Sequence, residues 1–494
     1  MVDRSRTDLA SELIRQYFDD FTCQVIEYLM REGPSLLSSI RKSTNLKLSL
    51  LRRIMIFLCG HGICYYNGEA TLYSISLTNI IQLHQSSRLV YFIKSELGDE
   101  CADIAFQIFL HSHVSKSQLL NRLQELHNFA TIEKCLDLLN GKNVLSSFDP
   151  RIDLNGDFDL VQGCKRHKQK IDNMDIDPTV WSFKYSQFET LIINKLIENA
   201  FQHRHGSYAK DIIGSLFSIS EIKQRNIENS KNQITANVSI DEIVRLRKLK
   251  PSFSPLMKMQ FNTLTTDLKL NCLHHVADSK QGLYYLDYSK AIAPIFYEHV
   301  SSLIEQKYSQ ATCALFNMIL NEKTINQKRV EDTILMSSNE AKSALLNLCK
   351  DKFISLSELS RSVADPVAIK CQHFFTVNKL NVCNVFLNHL YKTLSNLHNL
   401  MEHVAQSIDD KFAYDAQRRQ VQRNTNDSFM KSDIEETVIN ESKRDSVNKL
   451  QHFENDQHEV SGTHSCHPQL KKVFHAILEI DQLTILAKRY HELL

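Results

Sequence analysis

Glycine is scarce in this chain. Its 494 residues include only 12 glycines, whereas glycine makes up roughly 7% of an average soluble protein. No segment has the pattern G-x-G-x-x-G, G-x-x-x-x-G-K-[ST], G-x-S-x-G or H-E-x-x-H. These patterns build dinucleotide sites, phosphate-binding loops, hydrolase nucleophile elbows and zinc-protease sites. Their absence predicts a chain that is not an enzyme, with no catalytic residues and no cofactor.

Other absences narrow the class of protein further. The 12 cysteines are scattered singly, with no C-x-x-C pair, so they predict free thiols in a reducing compartment. No apolar run reaches the roughly 18 residues that a membrane helix needs, so we expect no membrane contact. A net charge of +1 excludes strong attraction of the whole chain to DNA. Any DNA contact must come from local basic faces or from an assembly that holds the chain near DNA.

Residues 12–77 have the pattern of a winged helix, in which three helices precede a β-hairpin. Apolar residues at helical spacing run from Leu13 to Leu29 and stop at Gly33-Pro34, a helix-ending pair. A short helix, a break at residues 43–45 and a third helix with buried positions up to Leu58 follow. Two strand-like segments then flank Asn67-Gly68, which predicts a hairpin with a two-residue turn.

The same pattern recurs along the chain and predicts four tandem winged helices. The expected domains are 1–80, 81–178, 179–290 and 291–378, followed by a coiled-coil hairpin at 379–494. Polar segments at 149–178 and 223–237 predict long loops. The third domain is predicted to open near Trp181 and to contain one helix from Leu256 to Val276. The predicted fold class is therefore mainly α, with small β-hairpin wings and a C-terminal antiparallel coiled coil.

The coiled-coil prediction rests on apolar residues at alternating three- and four-residue steps. No glycine or proline occurs from Val367 to Ser461. The seam includes Leu387, Leu390, Leu394, Leu397, Met401 and Val404, at the spacing of a left-handed coiled coil. A second stripe runs from Leu470 to Leu486, after a polar connection at 409–467. Two stripes in one chain favour an antiparallel hairpin over a homodimeric zipper.

Three groups of basic residues are candidates for DNA binding. Lys47, Arg52 and Arg53 lie on the third helix of the first winged helix, after Arg41 and Lys42. Cations there can neutralise DNA phosphates, but a solvated helix face or a protein-docking surface is the commoner interpretation. The other candidates are the run with Lys165, Arg166 and Lys168, and the group Arg245, Arg247 and Lys248. The first of these also fits a solvated loop or a nuclear-import signal.

Two further groups have competing interpretations. His464, Cys466 and His467 resemble a metal-binding tract, but no second ligand pair accompanies them, so we predict no metal site. Tyr65, Tyr66 and Tyr73 on the first wing can stack on bases or pack across the hairpin, and packing is the commoner arrangement.

With these segments assigned, the chain resembles the RNA polymerase III subunit family that is built from tandem extended winged helices and a C-terminal coiled coil. The resemblance is most specific from Gly282–Asp287, with the sequence GLYYLD, through Gln327–Asp332, with the sequence QKRVED. Glu340-Ala341-Lys342, Phe374–Leu400 and Leu13–Leu77 also resemble the family.

The resemblance implies a non-catalytic subunit in the nucleus. Such a subunit forms a heterotrimer with two other polymerase subunits on the polymerase clamp. It supports recruitment by the initiation factor that contains the TATA-binding protein, and it helps to open promoter DNA at tRNA and 5S rRNA genes. DNA binding by the chain alone is expected to be weak and non-specific. Two alternatives are a winged-helix general factor of another polymerase and a proteasome-lid-type scaffold, which has one winged helix rather than four.

Overall fold

The structure is a computed structural model. It describes residues 2–68, 70–123, 127–148, 180–224, 233–248, 254–276, 282–334, 336–359, 372–432 and 468–494. In the helix Lys379–Ser432, side chains are described as far as residue 407.

The first winged helix follows an N-terminal helix. Its elements are α1 (Val2–Tyr17), α2 (Asp20–Glu32), β1 (Ser35–Leu36), α3 (Leu37–Thr44), α4 (Leu48–Gly60), β2 (Cys64–Asn67) and β3 (Leu72–Ile75). Strand β3 lies between β1 and β2 and is antiparallel to both. Gly33 ends α2 with a φ of 77° and donates to the carbonyl of Leu29, a conformation that glycine adopts without a steric cost.

Two predictions for this winged helix were wrong in detail. The apolar pattern from Leu13 to Leu29 belongs to two helices, because Asp19 has an extended backbone and begins α2 as its N-cap. The wing loop has four residues rather than two, because Asn67 pairs with Leu72. The predicted two-residue turn requires a left-handed backbone at Asn67 and Gly68. In the structure, Thr71 has the left-handed backbone instead, with a φ of 53°.

The second winged helix follows two short helices. The elements are α5 (Leu77–His84), α6 (Ser86–Leu97), α7 (Asp99–His111), β4 (Val114–Ser115), α8 (Lys116–Leu123), α9 (Phe129–Gly141), β5 (Leu145–Phe148) and β6 (Val180–Phe183). Strand β6 lies between β4 and β5. Trp181 pairs with Val114 and with Ser147, so it completes the second sheet instead of opening the third domain.

The third winged helix contains one element that the sequence pattern concealed. Its elements, after α10 (Tyr185–His205), are α11 (Ser207–Gln224), β7 (Val238–Ser239), α12 (Ile240–Leu246), α13 (Ser254–Thr265), β8 (Leu273–His275) and β9 (Leu283–Leu286). The predicted helix from Leu256 to Val276 was wrong, because α13 ends at Thr265 and β8 follows it. The sequence Ser239-Ile240-Asp241-Glu242 predicts a helix start with an acidic residue three positions on, and α12 does begin there, with a capping box between Ser239 and Glu242.

The fourth winged helix matches its predicted plan. It follows α14 (Tyr288–Lys307) and comprises α15 (Gln310–Glu322), β10 (Thr324–Asn326), α16 (Gln327–Ile334), α17 (Ser338–Lys350), β11 (Ser355–Leu359) and β12 (Gln372–Thr376). Strand β12 lies between β10 and β11. All four sheets therefore place the last strand of the winged helix in the centre. The mainly α fold class with tandem winged helices is confirmed.

Two long helices complete the chain, α18 (Lys379–Ser432) and α19 (Pro468–Leu493). The chain divides into a body, Met1–Tyr391 with Asp481–Leu494, and an arm, Lys392–Ile480. In the body, the Cys383 thiol of α18 contacts the carbonyl of Ala487 in α19 at 3.2 Å. The ring of Tyr490 stacks on Phe296 of α14 with centroids 4.5 Å apart. The last turns of the chain are therefore part of the core that carries the winged helices.

The burial of the side chains agrees with the predicted seam only in part. Leu387, Leu390 and Leu394 are buried, whereas Leu397, Met401 and Val404 are half-buried. His398, next to Leu397, is only 1% exposed, so the buried stripe continues in a four-residue step where the heptad pattern requires three. The coiled coil stays a prediction. Among the described residues, no helix combines the length and apolar character that crossing a bilayer requires.

Candidate nucleic-acid interface

Helix α4 presents one buried and one exposed face. Leu51, Ile54, Met55 and Leu58 are buried at the three- and four-residue steps of a helix. Arg52 and Arg53 therefore project from the opposite side, and both are exposed. Helix α3 ends at Thr44, and Asn45, with a φ of 53° in the left-handed region, is the first of the three residues that connect it to α4. This tight connection fixes the two helices as a helix-turn-helix.

The segment around α3 and α4 carries positive charge with no acidic residue to balance it. No aspartate or glutamate occurs between Glu32 and Glu69. The segment has five exposed cations, here called the cationic face: Arg41, Lys42, Lys47, Arg52 and Arg53. In the part of the chain that the structure describes, none of the five forms an ion pair. The segment between Glu32 and Glu69 therefore carries an excess of positive charge, although the whole chain is nearly neutral.

The next turn of α4 continues the exposed side with apolar residues. Ile56 is 73% exposed and Phe57 is 44% exposed, four residues after Arg52 and Arg53. The outer side of α4 thus has cations toward its start and apolar groups toward its end. Such a surface attracts phosphate through charge, and it also has apolar area that a partner can cover.

The wing tyrosines pack within the first winged helix. Tyr66 faces Tyr73 across the two strands, with ring centroids 4.9 Å apart. The Tyr65 hydroxyl accepts a hydrogen bond from the amide of Asn79 at 2.5 Å, and the same amide donates to the carbonyl of Gly62. Cross-strand packing, the commoner of the two interpretations, describes Tyr66 and Tyr73.

The basic group in the third winged helix separates into two kinds of residue. Arg245 and Lys248 are exposed. Arg247 instead donates from Nε to the Ser215 hydroxyl at 2.8 Å, and its Nη2 lies 3.5 Å from the Asp211 carboxylate. Arg247 therefore ties the end of α12 to α11, and its guanidinium is already engaged within the protein.

The corresponding helix of the second winged helix carries no comparable face. On α9, exposed Lys134 is followed three residues later by exposed Asp137, and Glu133 pairs with Lys116. Helices α4 and α9 have the same length and the same place in their domains. What distinguishes α4 from α9 is therefore the charge of the residues around it.

The remaining candidates lie outside the described residues. These are Lys165, Arg166 and Lys168, and the predicted non-site at His464, Cys466 and His467. Within the described ranges, no three histidine, cysteine or acidic side chains converge in a way that could hold a metal ion.

Sequence reasoning missed the buried polar contacts that join distant parts of the body. His84 Nε2 lies 3.2 Å from the Asp481 carboxylate, and both side chains are at most 3% exposed. The Tyr17 hydroxyl lies 3.3 Å from Nδ1 of the same histidine. The three residues come from α1, α5 and α19. Tyr17, His84 and Asp481 are far apart in the sequence, so no local pattern indicates that they form a cluster.

A second missed cluster surrounds Asp267, after the end of α13. Its carboxylate accepts two hydrogen bonds from Arg204 at 2.7 and 2.8 Å and lies 2.8 Å from His205 Nε2. The backbone N–H groups of Lys269 and Leu270 also donate to it. Burial alone would raise the pKa of Asp267, but these hydrogen bonds outweigh it and hold the pKa below its ordinary value. The cluster fixes the turn between α13 and β8.

Two family models match parts of this chain. The model described as the RNA polymerase III subunit RPC82 helix-turn-helix domain matches residues 8–69, which include the cationic face. The model described as the POLR3C C-terminal winged-helix domain matches residues 300–377.

Curated relatives align with most of the chain. The DNA-directed RNA polymerase III subunit RPC3 of Homo sapiens is 21% identical over 444 residues, which cover 79% of this chain and 82% of the relative. The subunit of the same name from Danio rerio is 21% identical over 450 residues, with the same coverage of both chains. The Dictyostelium discoideum subunit rpc3 is 20% identical over 236 residues, covering 45% of this chain and 34% of the relative.

Proposed function

We infer that this chain, a member of the RNA polymerase III third-subunit family, acts as a non-catalytic subunit of that polymerase. One observation carries the inference: models of winged helices from this subunit match both the first and the fourth winged helix. Relatives that bear the subunit's name align over 79% of the chain. The four sheets also argue against a scaffold with a single winged helix.

The proposed partners are the other subunits of the polymerase. We expect the chain to join two of them in a heterotrimer on the clamp, in the nucleus, and to support recruitment by the initiation factor that contains the TATA-binding protein. Tagged full-length chain purified from nuclear extract should bring down the large polymerase III subunits, as identified by mass spectrometry. Recovery of another polymerase, or of the proteasome lid, without polymerase III would contradict the proposal.

Within this role, we propose that the cationic face contacts promoter DNA and helps to open it. The support is five exposed cations in a segment without acidic residues, on the helix-turn-helix surface that commonly meets DNA. Contacts of this kind neutralise phosphates and do not select bases. DNA binding by the chain alone should therefore be weak and non-specific. If roughly three to five phosphates are neutralised, the slope of log affinity against log salt is about −3 to −4.5 on duplex DNA.

Charge reversal tests the DNA contact. The double variant Arg52→Glu, Arg53→Glu should leave the fold intact, because exposed charges contribute little to stability. It should still assemble into the polymerase but open promoter DNA poorly, as measured by permanganate reactivity of unpaired thymines at a tRNA gene. The matched control is Lys134→Glu with Lys142→Glu, which reverses two exposed charges on and beside α9.

Each outcome of this test has a distinct meaning. A loss of opening by the variant alone, with intact assembly, supports the DNA contact. Loss of a partner subunit from the purified complex shows instead that the cationic face is a protein-docking surface. Normal assembly with normal transcription of tRNA genes shows that the face is only solvated. The last two outcomes contradict the DNA contact but leave the assignment to the polymerase standing.

A further inference from the structure

The wing of the first winged helix carries an exposed asparagine that is followed by glycine. Asn67 is the last residue of β2, and its pairing with Leu72 is the last pair between β2 and β3. Gly68 follows outside the strand, and its N–H has no hydrogen-bond partner among the described residues. Both Asn67 and Gly68 are exposed. The sheet therefore does not hold the backbone nitrogen that follows Asn67.

The same dipeptide lies in a different setting in the second winged helix. Asn140 and Gly141 are also exposed, but they are the last two residues of α9. Within a helix, the N–H of Gly141 donates to the carbonyl four residues earlier. Beyond the helix, the N–H of Asn143 donates to the carbonyl of Asn140 at 2.8 Å. The N–H of Lys142 donates to the carbonyl of Leu138 at 3.1 Å, so hydrogen bonds hold the backbone on both sides of this dipeptide.

Backbone freedom decides whether an asparagine followed by glycine reacts with its own chain. The nitrogen of the next residue can attack the asparagine side chain most easily when that residue is glycine, because glycine has no Cβ to obstruct the approach. The attack also requires that this nitrogen has no hydrogen bond to keep and that the backbone can rotate toward the side chain. The wing leaves the N–H of Gly68 available, whereas α9 engages the N–H of Gly141.

We propose that Asn67 is a deamidation site in the wing, where it converts to aspartate and isoaspartate through a succinimide formed with Gly68. The proposal stands on the strand pairing that ends at Asn67, the exposure of both residues and the available N–H of Gly68. The N–H of Ala70 also donates to Oδ1 of Asn67 at 3.4 Å, which polarises the carbonyl group that is attacked. The proposal does not rest on the function proposed above.

The reaction has two steps and needs only water. The Gly68 nitrogen, losing its proton, attacks Cγ of Asn67, so that a new C–N bond closes the succinimide ring and the side-chain nitrogen leaves with that proton as ammonia. Water then opens the ring. Breaking the bond between the ring nitrogen and Cγ gives aspartate, and breaking its bond to the backbone carbonyl carbon gives isoaspartate, in which the chain continues through Cγ. One water is consumed, one ammonia is released, and nothing is oxidised or reduced.

Deamidation changes both the charge and the backbone of the wing. Either product adds one negative charge to a segment that has no acidic residue between Glu32 and Glu69. Isoaspartate also adds one carbon atom to the backbone at the last pair of β2 and β3, so the pairing of position 67 with Leu72 is lost. The modification therefore acts on the domain that carries the cationic face.

The experiment is incubation of the folded full-length chain in mildly alkaline buffer, followed by trypsin digestion and tandem mass spectrometry. Tryptic peptide 54–88 contains Asn67, and peptide 135–142 contains Asn140. Asn67 should deamidate at least about tenfold faster than Asn140, the ratio that corresponds to an opening cost of about 1.4 kcal/mol at the end of α9. Part of the product at Asn67 should be isoaspartate, which isoaspartate methyltransferase labels. Fragment ions distinguish Asn67 from Asn79 in the same peptide.

The unfolded chain supplies the matched control for sequence context. In urea, Asn67 and Asn140 should deamidate at similar rates, because both precede glycine. In the folded chain, Gly68→Ala should slow the reaction at Asn67, and Asn67→Gln should remove the mass gain from that position. A third pair, Asn155-Gly156, lies outside the described residues and is in a separate tryptic peptide.

Three results would overturn the proposal. One is equal deamidation of Asn67 and Asn140 in the folded chain. Another is a reaction at Asn67 that folding slows, relative to urea, as much as it slows the reaction at Asn140. The third is an aspartate product at Asn67 without isoaspartate, which would mean direct hydrolysis rather than a succinimide. All three comparisons use the unmodified sequence, so they do not depend on the folding of a variant.

Discussion

The first and third winged helices use their basic residues in opposite ways. Around α3 and α4, five exposed cations have no acidic residue near them in sequence and form no ion pair with described residues. In and beside the third winged helix, Arg204 binds Asp267, Arg247 binds Ser215, and Lys223 lies 2.8 Å from Glu242. The first set is directed outward, and the second holds helices and turns together.

The difference teaches that a cluster of basic residues is not by itself a binding site. A cation whose acceptor is supplied by its own fold contributes to stability, and a cation without one contributes to the potential that a partner meets. Arg245, Arg247 and Lys248 are neighbours in sequence, yet among the described residues only Arg247 has side-chain partners for its charged group. Changes in the third winged helix should therefore alter stability, and changes on the cationic face should alter binding.

The largest expected effect comes from Asp267→Ala. The substitution leaves Arg204, His205 and two backbone N–H groups without their acceptor in a site where the carboxylate is 3% exposed. Breaking a buried charge cluster in this way costs about 3 kcal/mol. Hydrogen exchange of the amides in β8 and β9 should report that loss. Asp137→Ala, which removes an exposed carboxylate from α9, is the control and should change exchange very little.

Acid should weaken the same site. The pKa of Asp267 in the folded protein is below its ordinary value of 3.8. Its contribution is therefore fully present above that value and is lost as the pH falls through the folded pKa. Protection of the β8 and β9 amides, corrected for intrinsic exchange, should be flat down to about pH 5 and then fall below about pH 4. The Asp267→Asn variant should not show this fall in amide protection. If its acid profile is unchanged, other carboxylates cause the fall.

Local patterns in the sequence were enough to predict the repeated architecture. Helical spacing marked the core positions of α4, and the capping box at Ser239 and Glu242 marked the start of α12. Gly33-Pro34 marked the end of α2. These signals work because each depends on residues within one turn of helix or one tight loop. These local signals were sufficient to predict most features of the fold class.

The misplaced start of the third domain arose because the deciding contact is distant in sequence. Trp181 belongs to the second sheet because it pairs with Val114, and nothing near residue 181 records that partner. The cationic face was visible in the sequence, but the engagement of Arg247 depends on Ser215, which lies on another helix. The contact between His84 and Asp481 could not be predicted for the same reason, because the two residues are distant in sequence. The sequence thus predicted which residues are basic, and the fold determined which of them are free to act.

Arg247→Ala should have an intermediate effect. It removes a hydrogen bond to Ser215, which is 8% exposed, and an ion pair to a largely exposed carboxylate. The hydrogen bond contributes about 1 kcal/mol and the exposed ion pair little. Exchange of the α12 amides should rise accordingly, with DNA affinity nearly unchanged. Arg245→Ala, on the same helix but exposed, should spare α12, and equal effects from the two variants would remove the distinction between them.

The smallest effect on stability should come from the cationic face itself. Arg52→Gln with Arg53→Gln removes two exposed charges, and exposed substitutions of this kind change the free energy of unfolding by less than about 0.5 kcal/mol. The same variant should make the slope of log affinity against log salt less steep by roughly 1.8, because each phosphate contact contributes about 0.9 on duplex DNA. The control, Lys134→Gln with Lys142→Gln, removes equal charge from the second winged helix. A slope that changes equally in both variants would mean that net charge, rather than the cationic face, sets the affinity. A slope that changes only with Arg52 and Arg53 would establish that the two arginines act together at the DNA backbone.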